Sequence, residues 1–176
     1  QNMRKSAILI TGANGEIGRG LILSYQKLNT FNIVTLDINK LDNSIKPFVE
    51  DEITGDILDI DLINQLNKKY KFESIYHLAA LLSTQSELSP ILAHNVNVQG
   101  TLNFLNLAIE QGKLNGKKIK FFFPSSIAVY GLKDLQNKKF SGTISEDNFL
   151  NPITIYGCNK LYCEHLGSYF SKYHYD

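Results

Sequence analysis

The chain has 176 residues, 43% of them hydrophobic, with 18 basic and 17 acidic side chains. That length suits one domain with a full core, and nearly balanced charge without a basic stripe argues against a nucleic-acid partner. No stretch reaches the roughly 18 apolar residues of a membrane span, and no signal-peptide run follows Met3, which reads as the native start. Cys158 and Cys163 lie five apart, which is neither a redox CxxC nor half of a zinc site. His94, His165 and His174 form no metal spacing either, so no metal is expected, and a reducing, cytoplasmic setting fits.

Strand and helix patterns alternate along the chain. Ser6–Ile10 is a short apolar run of strand length, and Glu16–Leu28 has helical spacing with Ile17, Leu21 and Tyr25 on one face. Phe31–Leu36 reads as a second strand and Phe48–Glu50 as a weak third. Leu58–Tyr70 repeats Leu58, Leu62, Leu66 and Tyr70 every four residues, an amphipathic helix. Ser74–Leu78 is a fourth strand. A helix then starts at Pro90, capped by Ser89, and runs to Gln111 with Gly112 as its stop. Lys118–Phe123 is apolar enough for a central fifth strand, 132–151 is a polar surface loop, and Ile153–Tyr173 is a long helix. Such alternation predicts an α/β domain over residues 3–176: a doubly wound parallel sheet, helices on both faces, strand order 3-2-1-4-5. The ligand crevice is expected at the carboxyl ends of strands one and four.

Thr11–Gly18 reads TGANGEIG, directly after a strand and opening a helix. Gly12 permits the tight turn, Gly15 lets backbone approach a pyrophosphate, and Gly18 allows close packing. The helix N-terminus offers unpaired N–H groups to phosphates. Asp37 ends the second strand, 19 residues beyond Gly18. A carboxylate there accepts hydrogen bonds from the ribose hydroxyls and repels a 2′-phosphate, which predicts NAD over NADP. Arg19 and Lys40 are nearby cations that would relax the preference. Asp56 and Ile57 are placed to meet the adenine edge, and Asp56 also suits a helix cap. His77, at a strand end, reads as a buried, hydrogen-bonded histidine rather than a catalyst. Tyr130 reads as packing beside the crevice.

Tyr156 and Lys160 lie four apart on the last helix, one turn apart on one face. An ammonium beside a phenol lowers the phenol's pKa and prepares it to exchange a proton with an alcohol. Ser125 and Ser126 follow the fifth strand, at the edge where ligands bind.

Together these residues resemble the extended short-chain dehydrogenases, the NAD-dependent epimerase/dehydratase family. The resemblance runs from Ser6 to Tyr173 through TGANGEIG, Asp37, GDI, HLAA (His77–Ala80), NVQGT (Asn97–Thr101), PSSIAVYG (Pro124–Gly131) and YGCNK (Tyr156–Lys160). It implies a Rossmann-like fold and a catalytic set of Ser126, Tyr156 and Lys160. Tyr156 would be the acid/base, Lys160 would tune it and bond the nicotinamide ribose, and Ser126 would orient the substrate oxygen. NAD would lie against Gly12, Asn14, Gly15, Glu16, Ile17, Gly18, Asp37, Asp56, Ile57, Leu78, Ala79 and Ala80, with Asn97 steadying the site. The segment LLSTQSELSP resembles the short-chain type of L-threonine 3-dehydrogenase more than a nucleotide-sugar 4-epimerase or 4,6-dehydratase, and it puts Ser83 near a small-molecule substrate. Asn159 departs from the serine or threonine common at that place. A non-catalytic NAD sensor is a third possibility, disfavoured by the intact Ser126, Tyr156 and Lys160. The resemblance further implies a homodimer built on the Pro90–Gln111 and Ile153–Tyr173 helices; apolar residues on a second face, such as Phe104 and Leu161, suit it, although core packing could use them too. It also implies a substrate-binding portion and further strands outside this chain.

Overall fold

The computed structural model describes residues 4–131, 145–148 and 150–173. Met3, His174 and most of the polar 132–151 segment lie outside the described residues. The strands are β1 (Lys5–Thr11), β2 (Ile33–Asp37), β3 (Asp51–Thr54), β4 (Tyr70–His77) and β5 (Lys120–Phe122). They form one parallel sheet in the order β3-β2-β1-β4-β5. The helices are α1 (Glu16–Leu28), α2 (Ile60–Lys69), α3 (Ser83–Leu88), α4 (Pro90–Ala93), α5 (Gly100–Asn115) and α6 (Ile155–Tyr173). A π-helical turn, His94–Gln99, joins α4 to α5.

Burial on both faces explains why β1 is continuously apolar. Ala7 and Leu9 point into a core with Ile63, Leu66, Phe72 and Phe104, covered by α2 and α5. Ile8 and Ile10 point the other way, onto Ile22 of α1 and the Leu41–Ile45 segment. The α1 residue that seals this side is Ile22, fully buried, whereas Ile17 is 58% exposed. Of the expected face, Leu21 and Tyr25 do pack, partly buried, against this cluster, and only Ile17 falls outside it.

Several boundaries differ from the pattern-based expectation. The third strand is Asp51–Thr54, and Lys46–Phe48 is a 3-10 turn with Pro47 in its first turn. β3 is an edge strand paired to β2 alone, so it needs little apolar content and leaves no hydrophobic signature. β4 begins at Tyr70, immediately after α2. The helix expected to stop at Gly112 continues to Asn115, because Gly112 packs as a buried residue and Gly116 adopts the left-handed C-cap at φ +65°. Ser89 precedes α4 without a side-chain cap. Among the described residues β5 lies at the sheet edge rather than at its centre.

Candidate active site

The carboxyl end of the sheet opens between β1 and β4, where the strand order reverses. The turn after β1 is pressed against the backbone after β4. Gly12 has φ +66°, and a Cβ there would sit 2.6 Å from the Ala79 nitrogen. Only glycine satisfies both restraints. At Gly18 an added Cβ would meet the Ala13 carbonyl oxygen at 2.5 Å, so its closeness serves the turn itself. Gly15 is the N-cap of α1 and brings no side chain to cap it. The first-turn N–H groups of α1 are therefore left without a side-chain cap, an arrangement that suits an anion.

Asp37 stands at the end of β2, as expected. Its Oδ2 accepts from the Asn14 backbone N–H at 3.0 Å and its Oδ1 from the Asn39 N–H at 2.9 Å. Each carboxylate oxygen keeps a lone pair for a further donor such as a ribose hydroxyl. These features fit a dinucleotide: a glycine cradle that a Cβ would fill, an uncapped helix N-terminus and a carboxylate with spare acceptor capacity. Asp56 forms a turn by accepting from the Leu58 N–H at 2.9 Å, while the α2 cap is Asp59, accepting from Leu62. The helix-cap expectation for Asp56 therefore passes to Asp59. Ile57 is a core residue, 7% exposed, beneath this turn. Arg19, expected as a nearby free cation, is instead paired with Asp42.

Thr11 and His77, at the ends of β1 and β4, are both buried and lie 2.8 Å apart from Oγ1 to Nδ1. The Thr11 oxygen already accepts from the Leu78 and Ala79 N–H groups. Its own hydrogen therefore goes to Nδ1, which leaves the proton of the neutral ring on Nε2. That atom has no hydrogen-bond partner, and the ring stacks on Phe104 with centroids 5.1 Å apart. Burial pushes the His77 pKa down from 6.5 to about 3, with Lys160 adding to the effect. Below about pH 6.5 the unfolded chain binds a proton that the folded chain refuses, so this contribution to stability is lost as pH falls toward 3. Urea unfolding at about pH 7 and about pH 5 is expected to show that loss, at up to about 1.4 kcal/mol per pH unit, with a shallower slope in His77→Phe.

After β5 the chain runs past Pro124 and Ser125 into a 3-10 turn, Ile127–Val129, whose N-cap is Ser126. The Ser126 hydroxyl accepts from the Ala128 N–H at 3.1 Å. Helix α6 packs directly on this turn through Gly157, where an added Cβ would lie 2.1 Å from the Ala128 carbonyl oxygen. That contact brings Tyr156 to Ser126. Burial raises the Tyr156 phenol above its ordinary pKa, and the hydrogen bond with Ser126 opposes the rise. The Lys160 ammonium, 4% exposed, donates to the Pro124 carbonyl at 3.0 Å and lies 5.5 Å from the Tyr156 ring centroid. Burial lowers its own pKa. The expected depression of the phenol by Lys160 is therefore corrected: the ammonium is committed to Pro124, and burial prevails. Ser125 donates to Glu164. Ser126, Tyr130, Glu146 and Glu164 border a cleft of about 500 Å³.

Asn97 sits on the π-helical turn and is 2% exposed. Its Oδ1 accepts from the Leu81 N–H at 2.7 Å, and its Nδ2 donates to the Leu81 carbonyl at 3.0 Å and to Asn159 Oδ1 at 3.4 Å. Asn97 thus ties the Leu78–Leu81 strip to the helix carrying Tyr156 and Lys160, and the buried Asn159 has a structural partner. A second tie comes from Glu87, whose carboxylate accepts from the Ile155 N–H at 2.7 Å and so caps α6 from another element. Ser83 opens α3, which packs on α6, and is exposed. Phe104 is fully buried against His77 and belongs to the core, which removes it from the expected dimer face. Sequence patterns did not reveal Thr11, Glu87, Asn159 or Gly157 as organisers of the site, since each acts through a partner distant in sequence.

The sequence matches the family model described as GDP-mannose 4,6 dehydratase over residues 9–175. An uncharacterized epimerase/dehydratase of Staphylococcus aureus (strain USA300) is 34% identical over 170 residues, which cover 94% of this chain and 48% of that protein. Among solved structures, a monomeric L-threonine 3-dehydrogenase from a metagenome, in apo form, is 35% identical with a TM-score of 0.76. The match covers 96% of this chain and 51% of that one. A UDP-glucose 4-epimerase from Brucella ovis, in complex with NAD, is 26% identical with a TM-score of 0.74, over 97% and 49% of the two chains. The chain spans about half the length of the curated relatives it matches. By fold, motif order and sequence, it belongs to the GDP-mannose 4,6 dehydratase family, within the extended short-chain dehydrogenases of the epimerase/dehydratase type.

Proposed function

We propose that this chain is the dinucleotide-binding and catalytic portion of an NAD-dependent oxidoreductase that oxidises a secondary alcohol, with L-threonine as its substrate. The observation that carries this reading is the convergence of Ser126, Tyr156 and Lys160 beyond β5, beside a glycine turn that only a bare backbone can form. NAD would lie along Gly12–Gly18, with its ribose on Asp37, its adenine near Asp56 and Ile57, and Leu78–Ala80 beneath it. When bound, it supplies the acceptor for the hydride.

Ser126 holds the substrate hydroxyl, and Tyr156 takes the hydroxyl proton as hydride leaves the same carbon, which makes a β-keto amino acid. The phenol can do this only when ionised, so Lys160 must shift from the Pro124 carbonyl toward the phenol and the nicotinamide ribose in the working complex. The LLSTQSEL segment and 35% identity to a threonine dehydrogenase, against 26% to the epimerase, favour threonine. The family description and the NAD-bound epimerase favour the second reading, a nucleotide-sugar 4-epimerase or 4,6-dehydratase that begins with the same oxidation. An NAD sensor would not need all three catalytic side chains. Exposed Leu88, Ile91, Leu92 and Tyr162 on α3, α4 and α6 support homodimer formation through these helices. The two free thiols, Cys158 and Cys163, suit a cytoplasmic setting.

Calorimetric titration tests the cofactor assignment. NAD is expected to bind more tightly than NADP, and Asp37→Ala is expected to narrow the difference. Equal or tighter binding of NADP by the wild-type protein contradicts it.

A further inference from the structure

Asp37 belongs to a network that also reaches the Arg19 guanidinium. Its Oδ2 accepts from the Asn14 N–H, and Asn14 Oδ1 in turn accepts from the Asp42 N–H at 2.9 Å. Asn14 Nδ2 donates to the Lys40 carbonyl at 2.8 Å, which fixes the loop after β2 over the glycine turn. Asp42 then reaches Arg19, one residue beyond Gly18. Asp42 Oδ2 lies 3.2 Å from Nη1, and Arg19 Nη2 donates to Ser44 Oγ at 3.2 Å. Asp42 Oδ1 accepts from both the N–H and the hydroxyl of Ser44, at 2.8 and 2.6 Å. The carboxylate and the hydroxyl are therefore oriented together before they meet the guanidinium. Glu52 carries the salt bridge to Lys46 and also feels the more distant charge of Lys40.

A ribose 2′-phosphate beside Asp37 needs a cation to offset the carboxylate. Arg19 is the guanidinium within this network, and its hydrogen-bonding edge is already engaged. We propose that Asp42, aided by Ser44, is a second determinant of dinucleotide choice, which selects NAD by holding Arg19 away from the 2′-phosphate position. This inference rests on the NAD reading above and deepens it. The carboxyl of Asp42 is held below its ordinary range, chiefly by the Ser44 hydroxyl, so the clamp stays ionised wherever the protein is folded and assayed near neutrality. Both partners are about half exposed, so the clamp is a weak tether and biases the choice several-fold rather than absolutely.

Asp42→Asn is the informative substitution. It keeps an oxygen for the Ser44 turn and turns an amide NH₂ toward Arg19. Calorimetric titration of the protein with NAD and with NADP is expected to show the ratio of the two dissociation constants shifting toward NADP by about fivefold. Ser44→Ala shifts it the same way by about twofold, and adding Arg19→Gln to Asp42→Asn returns the ratio to near the wild-type value. An unchanged ratio in Asp42→Asn, with NAD still bound, overturns the inference and leaves the dinucleotide reading intact. A gain that survives Arg19→Gln overturns it as well. Failure of the wild-type protein to bind either dinucleotide removes the reading and the inference together.

Discussion

Tyr156→Phe is expected to lose about 10²- to 10⁴-fold of turnover in the full-length protein while NAD affinity stays close to wild type. The ring that packs beside Ser126 and Lys160 remains, so the helix and the crevice keep their shape; only the atom proposed to exchange the proton is removed. Because burial holds the phenol above its ordinary pKa, the oxidative rate in the wild type should rise toward alkaline pH as the phenolate fraction grows. In Tyr156→Phe that rise should disappear. Steady-state kinetics with calorimetry on the same samples separates loss of chemistry from loss of binding. Full activity in the phenylalanine variant on any substrate contradicts the mechanism.

Gly157→Ala is the substitution with the next largest expected effect. Alanine favours a helix over glycine by about 1 kcal/mol, so in isolation it would stabilise α6. Here its Cβ would lie 2.1 Å from the Ala128 carbonyl oxygen and 2.9 Å from the Pro152 Cβ, and backbone cannot yield to it as a flexible side chain would. Overpacking of this kind costs about 1–3 kcal/mol, so the clash outweighs the propensity gain. The helix must also move away from the Ser126 turn, and a displacement of about 1 Å at reacting groups can cost roughly 100-fold in rate. Gly20→Ala in α1, where an added Cβ meets nothing within 4 Å, provides the contrast: it should leave the fold unharmed or stabilise it by about 0.5–1 kcal/mol. Thermal unfolding of both variants, with kinetics for Gly157→Ala, checks the pair.

Local patterns carried most of the fold. The apolar run of β1, the glycines that follow it and the spacing of α1 all act within a few residues, so their meaning is visible in one window of sequence. Asp37 and the Tyr156–Lys160 spacing were legible for the same reason. The strand Asp51–Thr54 was not, because an edge strand buries little and its pairing to β2 is a tertiary fact. Gly112 and Gly116 lie four residues apart, and only packing shows that the first is buried within α5 while the second ends it. The ties that hold the site depend on distant partners: Thr11 with His77, Asn97 with Asn159, and Glu87 with the first turn of α6. No periodicity records such pairs. The π-helical turn that carries Asn97 likewise replaces what the pattern presents as one uninterrupted helix. Phe104 illustrates the converse, since helical spacing allows either a partner-facing or a core residue, and stacking on His77 decides for the core.

The most direct test of the account is to supply the full-length protein with L-threonine and NAD and to follow NADH absorbance, with UDP-sugars as the parallel substrates. The account predicts threonine-dependent accumulation of NADH and no conversion of the sugars. Conversion of a UDP-sugar without net NADH, and no response to threonine, would contradict it, because an epimerase returns the hydride to the substrate from which it came.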